Sequence, residues 1–395
     1  MTRSAEQKFS TPLIVRAAAQ AAARRGAASA AMRPAGATAG RLAAAVGAVV
    51  LVVLLTGVPA RADSWRDRQW YFGPMRLAQA QQLGKGGAGV TVAVIDTGVD
   101  IGHRDLRGAT VPGWVVTREE PSDNVDTGPH GTGMAALIAG RGHGDGAGLL
   151  GVAPRSKVMP IRPVNDDLLI SNGIRWAVER GAKVINMSFD LPSDQVLEDA
   201  IAEAYANDVV LVGSAGNGGG GVVEPASFPH VVAVGSVGRN NRVASFSNRG
   251  PEMDLVTYGV GIPVARPGNK YDVTNGTSVS SALVAGAVAL IRARYPDMRA
   301  PEVVDRLMST AVDRGAKGRD DRYGAGQLDL MAALTAPRAA PKASSAPARN
   351  PGGAPVAAPS TGDSGPAPSV IVGVGVLVLI AGLSVVMVLR ARRSS

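Results

Sequence analysis

Five short apolar runs punctuate the middle of the chain, at 90–95 (VTVAVI), 157–161 (KVMPI), 183–187 (KVINM), 209–213 (VVLVG) and 231–237 (VVAVGSV). Each is nearly continuous in apolar residues rather than alternating, which predicts a strand covered on both faces. Between them, 131–140, 168–180 and 193–206 carry apolar residues at helical spacing and predict helices. Strands alternating with helices predict an α/β domain, doubly wound, with a mostly parallel sheet and helices on both faces. In such a sheet the site lies off the carboxyl ends of the strands, so the residues that follow each run carry the most information.

Two longer apolar runs lie outside this pattern. Residues 42–58 follow Arg41 and precede Ala60-Arg61-Ala62, the pattern of a signal h-region with a small-residue cleavage site. Residues 1–62 are therefore expected to be a signal region, with Met32 as an alternative start and a mature chain from about Asp63; an uncleaved anchor is the competing expectation. Residues 370–389 hold no charge and are followed by Arg390, Arg392 and Arg393, which predicts one C-terminal transmembrane helix with a cytoplasmic tail at 390–395. Residues 336–369 are rich in Pro, Ala, Gly and Ser and predict a semi-extended tether. The organisation expected is thus an N-terminal extension at 63–89, a catalytic-size domain at 90–335, the tether and the span, with the domain outside the cytoplasm.

The net charge of +9 suggests nucleic acid until it is located along the chain. Residues 1–62 carry +7 and 336–395 carry +5, leaving 27 basic and 30 acidic residues, net −3, in 63–335. A folded part of that charge, without a basic stripe or an RNA-binding motif, excludes nucleic acid as the partner. Zero cysteines exclude a disulfide framework, a thiol nucleophile and a Cys-based metal site. No cofactor or metal is expected: the turn after the first strand lacks G-x-G-x-x-G, and the glycine run at 218–221 lacks the Lys-Ser/Thr ending of a phosphate loop.

What remains is a set of side chains at strand ends and helix starts. Asp96 directly follows the first strand; His130 opens a helix from a Gly-flanked loop; Asn217 follows the fourth strand in S-A-G-N; Ser278 stands in N-G-T-S before a run of small apolar residues. Each has a bland alternative: a turn-forming Asp, a structural His, a flexible loop, a helix-capping Ser. Together they supply acyl-transfer chemistry. A serine hydroxyl attacks only when a base of near-neutral pKa takes its proton, a buried carboxylate fixes that base, and an amide donor meets the developing oxyanion. Ser278 is expected to be both helix cap and nucleophile. His103, His143 and His230 are expected to be structural.

Through VAVIDTGVD, HGTGMAALIAG, SAGN and NGTSVSSALVAGA the chain resembles the subtilisin-like serine proteases over most of 90–330. More narrowly, RDRQWYF at 66–72, the Pro-rich tether and the single span resemble the mycosins, membrane-anchored subtilases associated with type VII secretion. The resemblance implies Asp96, His130 and Ser278 as a triad and Asn217 as the oxyanion residue. It also implies a substrate cleft lined by Ser188, Phe189 and Asp190 on one side and Ser214, Ala215 and Gly216 on the other. The implied function is an extracytoplasmic serine endopeptidase acting on protein or peptide substrates, with type VII secretion components as partners. Two alternatives stand beside it: a tethered scaffold of a secretion complex with little turnover, and a general surface protease. Asp190 stands where the family usually has Gly, and Ala282 where it usually has Pro. The 63–89 stretch is too short for the folded propeptide of most subtilases and is expected to be a wrapping extension.

Overall fold

The computed structural model describes residues 65–115, 129–163, 167–191 and 195–338. The expected signal region, most of the tether, the 370–389 span and the tail lie outside the described residues, among which no helix is long and apolar enough to cross a membrane.

Seven strands form one sheet: β1 (Thr91–Ile95), β2 (Trp114–Val115), β5 (Lys157–Arg162), β6 (Val184–Met187), β7 (Val210–Ser214), β8 (Val231–Val237) and β9 (Leu255–Tyr258). Their spatial order is β2-β5-β1-β6-β7-β8-β9, and every neighbouring pair is parallel. The chain leaves β1 toward β2 and β5 on one side and later toward β6 on the other. β1 is therefore the topological switch point, and a crevice opens at its carboxyl end. Two antiparallel hairpins stand apart from the sheet, β3 (Arg141–His143) with β4 (Ala147–Leu150), and β10 (Ile262–Arg266) with β11 (Lys270–Thr274).

The period of two along each strand divides the core. Val92 and Val94 of β1 point to the face covered by α2 (Pro129–Ala139) and α5 (Thr277–Arg294), whereas Ala93 and Ile95 point to the face covered by α3 (Asp167–Glu179) and α4 (Gln195–Ala206). Helix α5 is buried from Thr277 through Ala293, which explains its lack of a polar face. Its far end is held by Arg292, which donates to the Asp208 carboxylate at 3.0 Å and to the carbonyls of Asp208 and Met298. Burying a guanidinium is tolerable only with partners of this kind; here both terminal nitrogens are met and Nε is not. Two further helices, α6 (Ala300–Ser309) and α7 (Leu330–Thr335), close that end.

Residues 65–89, including α1 (Leu77–Leu83), lie against the domain. Tyr71 and Leu77 are fully buried. Trp70 Nε1 donates to the Gly261 carbonyl at 2.9 Å, Gln69 exchanges two hydrogen bonds with the Leu150 backbone, and Arg66 donates to the carbonyls of Ala147 and Gly148. Trp65 stacks on Tyr271 of β11.

Candidate active site

Asp96 continues β1 by one residue, and its carboxylate is held at the sheet edge by the Thr97 N–H at 2.7 Å. Helix α2 begins beside it because Gly131 lacks a side chain. A Cβ on Gly131 would lie 2.2 Å from the Gly98 carbonyl and 3.1 Å from the Asp96 Cβ, so the first turn of α2 can approach the β1 loop only with glycine there. Thr97 Oγ1 accepts from the Gly131 N–H, and Thr132 Oγ1 accepts from the Asp100 N–H, which staples the two segments together.

That approach brings His130 Nδ1 to 2.9 Å from both oxygens of Asp96. The Asp96 side chain is 3% exposed and the His130 side chain 36%, so the carboxylate is covered while the imidazole reaches the surface. Burial disfavours the charged imidazole, but the hydrogen bond and the charge of Asp96 outweigh it, with Arg266 opposing; His130 stays above the ordinary histidine value. With Nδ1 committed to Asp96, Nε2 is the nitrogen left for a reacting proton.

Ser278 is the second residue of α5, not its cap. Gly276 is the N-cap and makes no side-chain cap bond; the first N–H of the helix, that of Thr277, donates instead to Asn217 Oδ1 at 2.8 Å. The capping function expected of Ser278 is thus supplied from sixty residues away, and its hydroxyl is left for other use. Ser278 Oγ donates to the Ser188 carbonyl at 3.4 Å; no hydrogen bond joins it to His130. Long or unformed hydrogen bonds between nucleophile and base are common before substrate binds.

Asn217 sits at the exposed end of the loop after β7. Its Oδ1 also accepts from Thr277 Oγ1 at 3.2 Å, and that oxygen in turn accepts from the Gly216 N–H at 3.1 Å. The circuit fixes which end of the amide faces the helix, leaving Nδ2 as the free donor next to the start of α5. Thr277 was invisible as a functional residue in the sequence because its partners lie on another loop.

The residues expected to line the cleft divide in role. Ser188 is buried beside the nucleophile: its Oγ accepts from Asn186 Nδ2 at 2.8 Å and lies 3.0 Å from Ser281 Oγ, which donates to the Ser278 carbonyl. Asp190 is exposed. Phe189 is half-buried and packs against the α3/α4 side of the core. Ser214 and Ala215 are buried, and Ala215 uses both backbone groups internally, donating to the Val234 carbonyl and accepting from the Val223 N–H. Gly216 is likewise committed, through Thr277 Oγ1 and the Asn248 N–H. This second wall therefore supplies surface rather than strand pairing.

The other three histidines serve the fold. His103 is buried, with Nδ1 accepting from the Asp105 N–H; burial pushes it below the ordinary value despite the nearby Asp105. His143 pairs with the buried Asp105 carboxylate at 2.6 Å, and His230 stacks on Tyr205. No group of three or more metal-ligating side chains is found among the described residues. A cavity of about 630 Å³ bordered by Arg242, Asp320 and Tyr323 contains none of the residues discussed above.

Residues 87–326 match the subtilase family, Peptidase S8. Subtilisin DY of Bacillus licheniformis is 38% identical over 270 residues, covering 66% of this chain and 96% of that protein. Subtilisin Savinase of Lederbergia lenta is 34% identical over 275 residues, covering 67% and 97%. Among solved structures, MycP1 with its N-terminal propeptide removed is similar at a TM-score of 0.62 and 29% identity, covering 68% of this chain and 97% of that one.

Proposed function

This chain belongs to the subtilase family of serine endopeptidases, and from that premise we propose that Ser278 is its nucleophile, His130 its general base, Asp96 the residue that orients the base, and Asn217 its oxyanion donor. The observation that carries this is the two-oxygen contact of Asp96 with His130 Nδ1 at the carboxyl end of β1. In the reaction, Ser278 Oγ attacks the scissile carbonyl carbon as its proton passes to His130 Nε2. The carbonyl oxygen, now an anion, accepts from Asn217 Nδ2 and from the Ser278 N–H at the start of α5. Collapse breaks the C–N bond, the leaving amine takes the proton from His130, and water hydrolyses the acyl-enzyme by the same steps in reverse. Each oxyanion donor contributes about 3 kcal/mol to the transition state.

The cleft runs between Ser188, Phe189 and Asp190 on one side and Ser214, Ala215 and Gly216 on the other. With its likeness to MycP1, the RDRQWYF segment and the apolar run at 370–389, the chain reads as a mycosin: an exported protease held to the cell membrane by one span, processing proteins of a type VII secretion system.

A fluorophosphonate tests the nucleophile. It should label Ser278 in the folded protein, and Ser278→Ala should abolish both labelling and peptide hydrolysis above the residual 10³–10⁴-fold catalysis (order of magnitude) left by binding and the oxyanion donors. Because the Ser278 hydroxyl caps nothing and makes only a 3.4 Å bond, the variant should melt close to wild type. A folded wild type that is never labelled, in cells whose secretion needs the protein but tolerates Ser278→Ala, would leave a scaffold in place of a protease.

A further inference from the structure

The β10–β11 hairpin lies against α2, the helix that carries His130, and it reaches that helix where Gly133 has no side chain. A Cβ on Gly133 would lie 3.2 Å from both the Ala265 carbonyl and the Val264 Cβ of β10. Antiparallel pairing sets Val264 opposite Asp272 and Arg266 opposite Lys270, so Val264, Arg266 and Asp272 share one face of the hairpin. That face is turned to α2. At the hairpin's tip the Gly268 N–H donates to the Asp100 carboxylate at 2.8 Å, and Asn269 Oδ1 accepts from the Arg104 N–H at 2.7 Å, which fastens the turn to the loop after Asp96. The hairpin then leads into the helix of Ser278: β11 ends at Thr274 and α5 begins at Thr277.

From that face Arg266 Nη1 donates to the Pro129 carbonyl at 3.0 Å, while Nη2 donates to the Asp272 carboxylate at 3.1 Å. Pro129 and His130 open α2, and the carbonyl that Arg266 holds belongs to the planar peptide unit carrying the His130 nitrogen. Holding that plane holds the His130 backbone, as Asp96 holds the ring. Asp272 steadies the guanidinium from β11, its other carboxylate oxygen accepting from the Val273 N–H at 2.8 Å. The rigid fork of an arginine suits this double duty, which one ammonium could meet only in part.

We infer that Arg266 is a positioning residue for catalysis: it ties the peptide unit of His130 to the hairpin that leads into α5, and so sets the base against Ser278. This rests on His130 being the base and Ser278 the nucleophile. Misplacing a reacting group by about 1 Å costs on the order of 100-fold in rate, so release of the Pro129 carbonyl should be felt in kcat. The charge of Arg266 acts on the same imidazole. Burial disfavours the charged imidazole, Asp96 at the end of β1 favours it, and Arg266 on β10, itself paired with Asp272, disfavours it. Loss of that positive charge should therefore raise the pH at which the base becomes neutral.

The test compares full-length wild type with Arg266→Ala, Arg266→Gln and Arg266→Lys, by peptide hydrolysis across pH and by the rate of fluorophosphonate labelling; thermal melting identifies which variants are folded. Arg266→Ala should lower kcat roughly 10- to 100-fold with KM little changed, slow labelling similarly, and move the acidic limb of kcat/KM to higher pH. Arg266→Gln keeps an N–H donor without the charge. It should keep more of kcat yet move the limb the same way, and it serves if the alanine variant does not fold. Arg266→Lys keeps the charge, so its limb should stay with that of wild type. A folded Arg266→Ala with wild-type kcat and labelling rate overturns the inference, as does an unmoved limb in either folded neutral variant. Wild type that is neither labelled nor active overturns the assignment of Ser278 and His130 itself and takes the inference with it.

Discussion

The pairing of Asp96 with His130 has a consequence for pH that can be signed. As the proposed base, His130 works only when neutral, and Asp96 holds it above the ordinary histidine value. Activity should therefore be lost, as pH falls, at a higher pH than an unpaired histidine would give, and the acidic limb of kcat/KM, which reports the free enzyme, should lie above the ordinary histidine range. Asp96→Asn should move that limb down and cut kcat by about 10⁴ through loss of the tautomer; a limb unmoved by the substitution would mean that another group sets it. The same raised value makes the charged pair a stabilising contact below the unfolded-state value, and that contribution is lost as pH rises through the folded-state value. The enzyme is thus most active where this contact contributes least to its stability. At this scale the proposed site residues, Asp96, His130, Asn217 and Ser278, stand out in the sequence because each follows a strand or opens a helix close to a glycine. It misled at Ser278 as a cap because the first N–H of α5 is met instead by Asn217 from a distant loop.

At the scale of elements, the five continuous apolar runs became β1, β5, β6, β7 and β8 within a residue or two, because burial on both faces leaves a strong signal. Trp114–Val115 spans two residues, too few for a pattern. The β10–β11 hairpin, whose second strand is mostly exposed, lies outside those runs; it carries Arg266, whose Nη1 donates to the Pro129 carbonyl beside His130. Residues 65–89 lack the apolar periodicity of a helix pair, yet place Tyr71 and Leu77 in the core. Tyr71→Ala should accordingly cost about 3–5 kcal/mol in chemical denaturation, the range for a buried aromatic. A chain beginning at Asp63 should be fully active, and trimming it to residue 85 should lower activity by unfolding the domain. A rise in kcat/KM on such trimming would make the stretch an inhibitor.

At the scale of the whole molecule, separating the basic ends from the near-neutral middle removed nucleic acid from consideration and left two apolar runs that bracket the domain. With arginines beside both runs, residues 63–369 should lie outside the cell and 390–395 inside. External protease on intact cells should remove the domain under conditions that degrade a known surface protein; a domain that survives reverses the topology. The proposed nucleophile and base come from opposite ends of the domain, His130 on α2 next to the first strand and Ser278 on α5 after the last strand of the sheet, packed along the same face. Contacts between such distant parts of a chain are the slowest to form. By the proposed mechanism a folding chain therefore has no hydrolytic power until α5 docks beside α2, and it is either a finished enzyme or an inert one.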